Sequence, residues 1–141
     1  MCCPYDRCSI RCNDPKIVVK ENKSRFEVSN SKRKYVSKIQ VDGCLFDEKN
    51  EKCDWIIEYD DPSKKALFVE LKGCDLDKAI SQLKSTLNLT RKRFNEHQKE
   101  CYVVTTRIPK HGSTVRRKCI DFQKQTKATL SVKNLKFSLT I

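Results

Sequence analysis

The sequence predicts an α/β (α+β) fold in which a mixed sheet of about five strands is flanked by helices. Two apolar runs at 54–59 and 66–71 are rich in β-branched and aromatic residues, and the polar segment between them contains Pro62, which is typical of a hairpin. After Gly73 the apolar residues change to a helical period. A further apolar run at 101–106 follows that helix, so we expect a strand parallel to the second hairpin strand.

The other elements are assigned from shorter patterns. Residues 1–24 show no periodicity and contain two prolines, so we expect an irregular, cysteine-containing segment with at most a short strand at 17–19. A single domain is expected over residues 25–141. Its remaining elements are predicted to be strands at 25–30, 35–46 and 135–141 and a basic helix at 114–127.

An amphipathic helix is predicted directly after the hairpin. Its apolar stripe recurs at the i, i+3, i+4, i+7 spacing and consists of Leu76, Ala79, Ile80, Leu83, Leu87 and Phe94. Asp75 is a suitable N-cap, and Asp77 in the first turn suits the helix dipole. Gln82 lies at the edge of the stripe, at about 100° per residue, and is placed to reach toward the strand ends. A purely local hydrogen bond of Gln82 is an equal alternative.

The hairpin places two carboxylates opposite each other. If the chain turns about Pro62, Asp54 pairs with Glu70, and two like charges roughly 5 Å apart destabilise a sheet unless a cation lies between them. Mg²⁺ prefers hard oxygen ligands of this kind. Lys72 shares a strand face with Glu70, so its ammonium is placed to orient a water for phosphodiester hydrolysis. The alternative is that these charged residues are solvated strand ends.

These residues resemble the motif of the PD-(D/E)XK nuclease superfamily, which includes many restriction enzymes, Holliday-junction resolvases and RecB-like nucleases. Asp54 matches the first acid of the motif, Glu70 the second acid and Lys72 the lysine. Cys53 stands where the proline of the motif is usual. The resemblance covers about residues 35–108, roughly half of the chain.

The resemblance implies a restriction endonuclease-like fold and a metal-dependent nuclease that hydrolyses phosphodiester bonds in DNA. Asp54 and Glu70 would hold Mg²⁺ or Mn²⁺, and the backbone carbonyl of Leu71 or Val69 would be a further ligand. Lys72 would position the attacking water or offset charge in the transition state.

Two further features of the family have counterparts here. Gln82 matches a glutamine that RecB-like members carry on the helix after the lysine, where it would support the water or a phosphate. Those members usually have a tyrosine one turn later, whereas this chain has Thr86. Many members also supply an acid from an N-terminal helix, for which Glu21 and Glu27 are the candidates in this chain.

The charge of the chain favours a polyanionic partner. Lys and Arg number 30 against 18 Asp and Glu, which gives a formal net charge of +12 and an isoelectric point near 9.4. We expect nucleic acid, DNA first, bound through phosphate contacts of basic clusters. The cluster residues are Lys32, Arg33, Lys34, Arg91, Arg93, Lys110, Arg116 and Arg117.

Several alternatives to a catalytic DNA-binding protein stay open. The basic residues are also compatible with a solubilising surface. A second functional hypothesis is a non-catalytic nucleic-acid-binding or accessory protein on the same fold. Assembly into a homodimer or a larger nuclease complex is compatible with the resemblance.

The apolar pattern of the sequence indicates a cellular compartment, and the compartment determines the expected state of the cysteines. The sequence has no apolar run of about 18 residues and no signal peptide, so we expect a cytoplasmic protein that does not enter a membrane. Thiols stay reduced there, and five cysteines are expected to act as small hydrophobes, namely Cys44, Cys53, Cys74, Cys101 and Cys119. The N-terminal cluster of Cys2, Cys3, Cys8 and Cys12 is assigned to a reactive tail in preference to a zinc site.

Overall fold

The computed structural model of the chain describes residues 4–46, 49, 51–73, 75–107 and 112–141, with the backbone alone at Lys72, Gly73, Gly112 and Ser113. The helices are α1 Pro4–Cys8, α2 Leu76–Leu89 and α3 Gly112–Thr126. The strands are β1 Ser9–Cys12, β2 Lys16–Glu21, β3 Ser24–Ser29, β4 Val36–Gln40, β5 Trp55–Tyr59, β6 Lys65–Gly73, β7 Gln98–Thr105, β8 Thr129–Asn134 and β9 Lys136–Thr140.

Nine strands form two sheets in the described part of the chain. The main sheet has six strands in the order β1-β4-β5-β6-β7-β8, and the smaller sheet has three in the order β2-β3-β9. The main sheet is antiparallel from β1 to β6 and parallel from β6 to β8. The prediction of an α+β fold with a mixed sheet and helices is therefore confirmed, with one strand more than expected in the main sheet.

The main sheet is buried on both faces. On one face its side chains pack against α2 and α3 in a helix-side core, which includes Ile56, Phe68, Leu83 and Phe122. On the other face they pack against the smaller sheet in an inter-sheet core, which includes Phe26, Ile57, Leu67 and Val104. Strands buried on both faces are continuously apolar, which explains why the hairpin of β5 and β6 was predictable from the sequence.

Residues 4–24, expected to be irregular apart from a short strand at 17–19, contain α1, β1 and β2. β2 includes the expected strand, whereas α1 and β1 were not expected. β2 begins at Lys16, pairs with β3, and buries Ile17 and Val19 in the inter-sheet core. β1 is an edge strand paired with β4, and its burial does not alternate, so no period-2 pattern marks it. Tertiary pairing rather than local pattern determines this segment.

The strand expected at 35–46 ends early. β4 stops at Gln40, and Val41–Leu45 forms a distorted helical turn in which Gly43 has a φ of 83°, a conformation that favours glycine. Cys44 in this turn forms a disulfide with Cys8, so the expectation that Cys44 is a small free hydrophobe is wrong. Cys12 is a free thiol. Cys2, Cys3 and Cys74 lie outside the described residues.

The C-terminal part differs by one strand. The basic helix expected at 114–127 is α3, and the closing strand expected at 135–141 is β9, which joins the smaller sheet. β8 was not predicted because only Leu130 in it is fully buried. Of the helices in the described ranges, none is long and apolar enough to cross a membrane.

Candidate functional site

The hairpin of β5 and β6 has the predicted register. Its pairs run from Trp55 opposite Val69 to Tyr59 opposite Lys65, and each pair sums to the same value as 54 and 70. The backbone N–H of Asp54 donates at 3.1 Å to the carbonyl of Val69, the residue that is paired with Trp55, so this bond is one position out of the register of the hairpin. Asp54 therefore lies beside the last pair of the ladder, and its direct pairing with Glu70 stays a prediction.

Asp54 is fixed by both its side chain and its backbone. Its residue is 4 % exposed, and Oδ2 accepts a hydrogen bond from the Leu71 N–H at 2.8 Å. The Asp54 carbonyl accepts from the N–H groups of Val41 at 3.0 Å and Asp42 at 3.4 Å, both in the turn after β4. The Leu71 N–H stabilises the buried carboxylate and sets its orientation, while the other two N–H groups hold the backbone of Asp54 in place.

Glu70 lies on the helix-side face of β6. Alternate strand residues share a face, so Glu70 points the same way as Phe68, which is part of the helix-side core. Glu70 is 2 % exposed. Burial raises the pKa of the neighbouring Cys53 thiol, and the Glu70 and Asp54 carboxylates raise it further. Both carboxylates are therefore close enough to the Cys53 thiol to affect its ionisation.

β6 is irregular immediately after Glu70. Its pairing with β7 shifts register between Glu70 and Gly73, so the backbone of Leu71 and Lys72 lies in a bulge. Bulges re-aim side chains and are common beside active sites. The side chain of Lys72, the predicted catalytic lysine, lies outside the described residues, whereas its backbone belongs to β6.

Helix α2 holds the segment that leads into Asp54. Gln82 Nε2 donates to the Lys52 carbonyl at 3.2 Å, and the Cys53 N–H donates to the buried Thr86 hydroxyl at 2.8 Å. Gln82 and Thr86 lie one turn apart on α2 and share this task. Gln82 thus reaches the backbone of the segment before Asp54, thirty positions earlier in the chain, so its bond is not the purely local one that the sequence left as an alternative.

Asp54 lines a cleft of about 200 Å³ that contains two further acids. The cleft is bordered by Glu21 at the end of β2 and by Asp42 in the turn after β4, together with Lys20, Gln40 and Trp55. Glu21 was a candidate from the sequence, whereas Asp42 was missed because its position depends on the turn at Gly43. Glu27, the other candidate, instead pairs with Lys16, Arg25 and Lys136, and hydrogen bonds from Arg25 and Lys16 lower its pKa.

A buried lysine also borders this region. Lys52 is 8 % exposed, and its Nζ lies 3.9 Å from Asp42 Oδ1. Its burial was not predictable from the sequence, because a lysine in a polar turn is normally solvated. Its ammonium balances part of the acidic charge around the cleft.

The donor set suits a hard cation. Among the described residues, no group of three or more His, Cys, Asp or Glu side chains is arranged to hold a metal. Mg²⁺, however, is commonly bound by one or two carboxylates together with waters and substrate phosphate. Asp54 and Glu70 are ligands of this chemical type.

The predicted basic clusters lie apart from each other in the sequence and differ in their contacts. Lys32, Arg33, Arg91 and Arg116 are exposed. Lys34 lies over the Tyr59 ring, Arg93 pairs with Glu58 and lies over Tyr5, and Arg117 pairs with Asp121 at 3.6 Å. Lys110 lies outside the described residues. The exposed cations are available for phosphate, while the paired ones have an additional structural task.

The chain matches no protein-family model, and it is significantly similar to no curated protein and no solved structure.

Proposed function

We propose that this chain is a Mg²⁺- or Mn²⁺-dependent nuclease that hydrolyses phosphodiester bonds in DNA. The observation that carries the proposal is that two carboxylates, Asp54 beside the start of β5 and Glu70 on β6, are both buried and both raise the pKa of the Cys53 thiol. Two carboxylates in such an arrangement are costly unless a cation or donors stabilise them. The formal net charge of +12 supports a polyanionic substrate.

In this proposal Asp54 and Glu70 hold the cation, and the Leu71 carbonyl completes the protein's ligands. A bound Mg²⁺ would polarise the phosphoryl oxygen and lower the pKa of a bound water. Asp54 is oriented beforehand by the Leu71 N–H at 2.8 Å, which reduces the reorganisation that binding requires. Glu70 and Leu71 are consecutive residues of β6, so the strand fixes the position of one ligand relative to the other.

The other residues act around this pair. Lys72 is assigned the role of positioning the attacking water, because it follows Glu70 by two residues on β6 and stands at the bulge. Gln82 is a positioning residue that acts through the Lys52 carbonyl. Exposed Lys32, Arg33 and Arg116 supply phosphate contacts, which give affinity without sequence selectivity.

We further propose that the fold is restriction endonuclease-like. Three features support this: an antiparallel hairpin that carries both acids, a helix that follows the second acid at once, and a strand parallel to β6 after that helix. The smaller sheet of β2, β3 and β9 is an addition to that pattern.

A second candidate function is a non-catalytic nucleic-acid-binding protein. The observation that favours it is the exposure of Lys32, Arg33, Arg91 and Arg116 on a chain with a formal net charge of +12, which supports phosphate binding without any catalytic group. Such a protein would keep the basic surface and bind DNA without cleaving it.

The two functions are separated by measuring binding and cleavage on the same variants. For a nuclease, Lys72→Ala retains DNA affinity within a few-fold, because one phosphate contact among many contributes little. Its cleavage rate with Mg²⁺ falls by about a hundredfold, the usual scale for a positioned catalytic group. Lys124→Ala, on the exposed face of α3, is the matched control and cleaves like the wild type. A wild-type protein that binds DNA but cleaves no DNA or RNA with Mg²⁺ or Mn²⁺ would establish the non-catalytic nucleic-acid-binding function.

A further inference from the structure

A second and larger cleft lies at the other end of β5. It has a volume of about 310 Å³ and is lined by Glu58 and Asp60 near the end of that strand. Asp54 precedes the start of β5, and Glu58 is four positions further along the chain, or about 13 Å at 3.3 Å per residue. This cleft is therefore distinct from the one that Asp54 lines.

The floor of the cleft is a polar row across three strands of the main sheet. Arg11 on β1 pairs with Ser37 on β4, and Ser37 pairs with Glu58 on β5. Neighbouring strands are roughly 5 Å apart, so this row spans about 10 Å from the guanidinium-bearing residue to the carboxylate-bearing one. A ligand of about that length can therefore contact the Arg11 guanidinium at one end and the Glu58 carboxylate at the other.

An exposed aromatic ring stands beside this floor. Tyr35 is 59 % exposed, and the Arg11 guanidinium carbon lies 5.3 Å from the centre of its ring. Within the described ranges, neither side chain makes a hydrogen bond or an ion pair. An exposed ring with a stacked arginine on a sheet surface is the arrangement on which single-stranded nucleic acids stack their bases.

The acids of the cleft are of two kinds. Glu58 is held in place by His97 Nε2 at 2.8 Å and by Arg93 at 3.4 Å. Asp6 and Asp60 are exposed and make no such contact in the described part of the chain. Free carboxylates accept hydrogen bonds from the exocyclic amino groups of bases, as Asp and Glu do from cytosine.

We infer that this cleft binds an unpaired nucleotide whose base carries an exocyclic amino group. The base stacks on Tyr35, its amino group donates to Asp60, and its phosphate lies toward Arg11. A paired base within a duplex exposes neither face, so the site selects single strands or unpaired ends. The inference rests on the nucleic-acid partner of the proposed function and names its substrate class, but it does not depend on cleavage.

The test is fluorescence anisotropy with short labelled oligodeoxycytidine, oligothymidine and duplex DNA, without divalent cations. The wild type binds oligodeoxycytidine several-fold more tightly than oligothymidine, because thymine lacks the amino group. Tyr35→Ala weakens binding of oligodeoxycytidine about tenfold, the scale of one lost base stack, whereas Tyr35→Phe retains it. Asp60→Ala removes the preference for cytidine over thymidine. Ile120→Ala, at another exposed apolar residue, changes nothing.

Two results would overturn the inference. The first is equal affinity of Tyr35→Ala and wild type for oligodeoxycytidine, and the second is equal binding of the two homopolymers by the wild type. Circular dichroism melting checks that each variant is folded, which the exposure of Tyr35 favours. The assay contains no divalent cation and measures binding alone, so a failure of base binding is distinguished from a failure of the proposed cleavage.

Discussion

Asp54 connects the two strands of the hairpin through its side chain as well as through its backbone. Its Oδ2 is the acceptor for the Leu71 N–H, which is buried behind it. Asp54→Ala leaves that N–H without an acceptor and should lower the free energy of unfolding by about 1–3 kcal/mol. Asp54→Asn keeps an acceptor oxygen and should cost less. Urea unfolding of both variants checks this, and equal stabilities would contradict the assigned hydrogen bond.

Buried thiols make the free energy of unfolding depend on pH in the alkaline range. Burial raises the pKa of the Cys101 thiol well above its ordinary value of 9.0. The unfolded chain therefore releases this proton at a lower pH than the folded chain, so the stability from Cys101 is full below pH 9 and is lost above it.

Cys101→Ala should make the fall in unfolding free energy above that pH shallower, by up to about 1.4 kcal/mol per pH unit. Urea titrations at several alkaline pH values measure the slope for wild type and variant. Cys12→Ala, at a half-buried free cysteine, is the control and should leave the slope close to that of the wild type. Identical slopes for Cys101→Ala and wild type would rule out the assignment.

At the scale of single residues, the sequence could predict what lies along one hairpin but not what distant segments bring together. The pairing of β5 with β6 was predictable because the position of Pro62 sets its register. The pair of Arg11 and Tyr35 was not, because it depends on β1 being recognised as the neighbour of β4.

Helix α2 is the element that sets the position of the candidate site. Thr86 is fully buried and accepts from the Cys53 N–H, one residue before Asp54. Thr86→Val keeps the shape of the side chain but removes the acceptor, so it should cost about 1–3 kcal/mol of stability. It should also lower cleavage more than DNA binding, because it loosens Asp54 and leaves the basic surface intact.

The control for this helix prediction is Thr114→Val, at an exposed threonine of α3. Thermal melting and cleavage rates of the two variants provide the comparison. A Thr86→Val protein as stable and active as Thr114→Val would mean that α2 does not support the segment before Asp54.

Elements were predictable where one helix or strand face is continuously buried. The stripe of α2 and its N-cap are confirmed, since Asp75 Oδ1 accepts from the Lys78 N–H at 3.1 Å. Phe94 belongs to the stripe by spacing, yet it lies beyond the end of the helix at Leu89 and still packs in the helix-side core. β1 and β8 were missed because edge strands bury few side chains and carry no alternating pattern.

At the scale of the whole molecule, a disulfide joins the N-terminal helix to the turn beside the candidate site. Cys8 and Cys44 are 36 residues apart, and the turn at Val41–Leu45 donates two backbone hydrogen bonds to the Asp54 carbonyl. Such a covalent link restricts the unfolded chain and stabilises the fold by about 2–4 kcal/mol. The link was not predictable, because pairing among nine cysteines cannot be deduced from their spacing.

Reduction should therefore lower the melting temperature of the wild type. The double variant Cys8→Ser with Cys44→Ser should melt at the temperature of the reduced wild type and should not respond to reductant. Cys12→Ser, which leaves the disulfide intact, should respond as the wild type does. A wild type whose melting is unchanged by reductant would show that the disulfide contributes nothing to stability.

The smaller sheet also arises at this scale. β9 closes it by pairing in parallel with β3, more than a hundred residues earlier in the chain. Local propensity predicts both strands but carries no information on which sheet they join, so the two-sheet arrangement required the structure.

The central claim is that the Asp54 and Glu70 carboxylates support metal-dependent cleavage. The most direct measurement is the single-turnover cleavage rate of labelled DNA with Mg²⁺, with Mn²⁺ and with chelator, for wild type and Glu70→Gln. The account predicts cleavage by the wild type with either cation, none with chelator, and a loss of at least about a hundredfold in Glu70→Gln with DNA affinity retained. Glu96→Gln, an exposed acid paired with Lys64, should cleave like the wild type. Cleavage by Glu70→Gln at the wild-type rate would contradict the account.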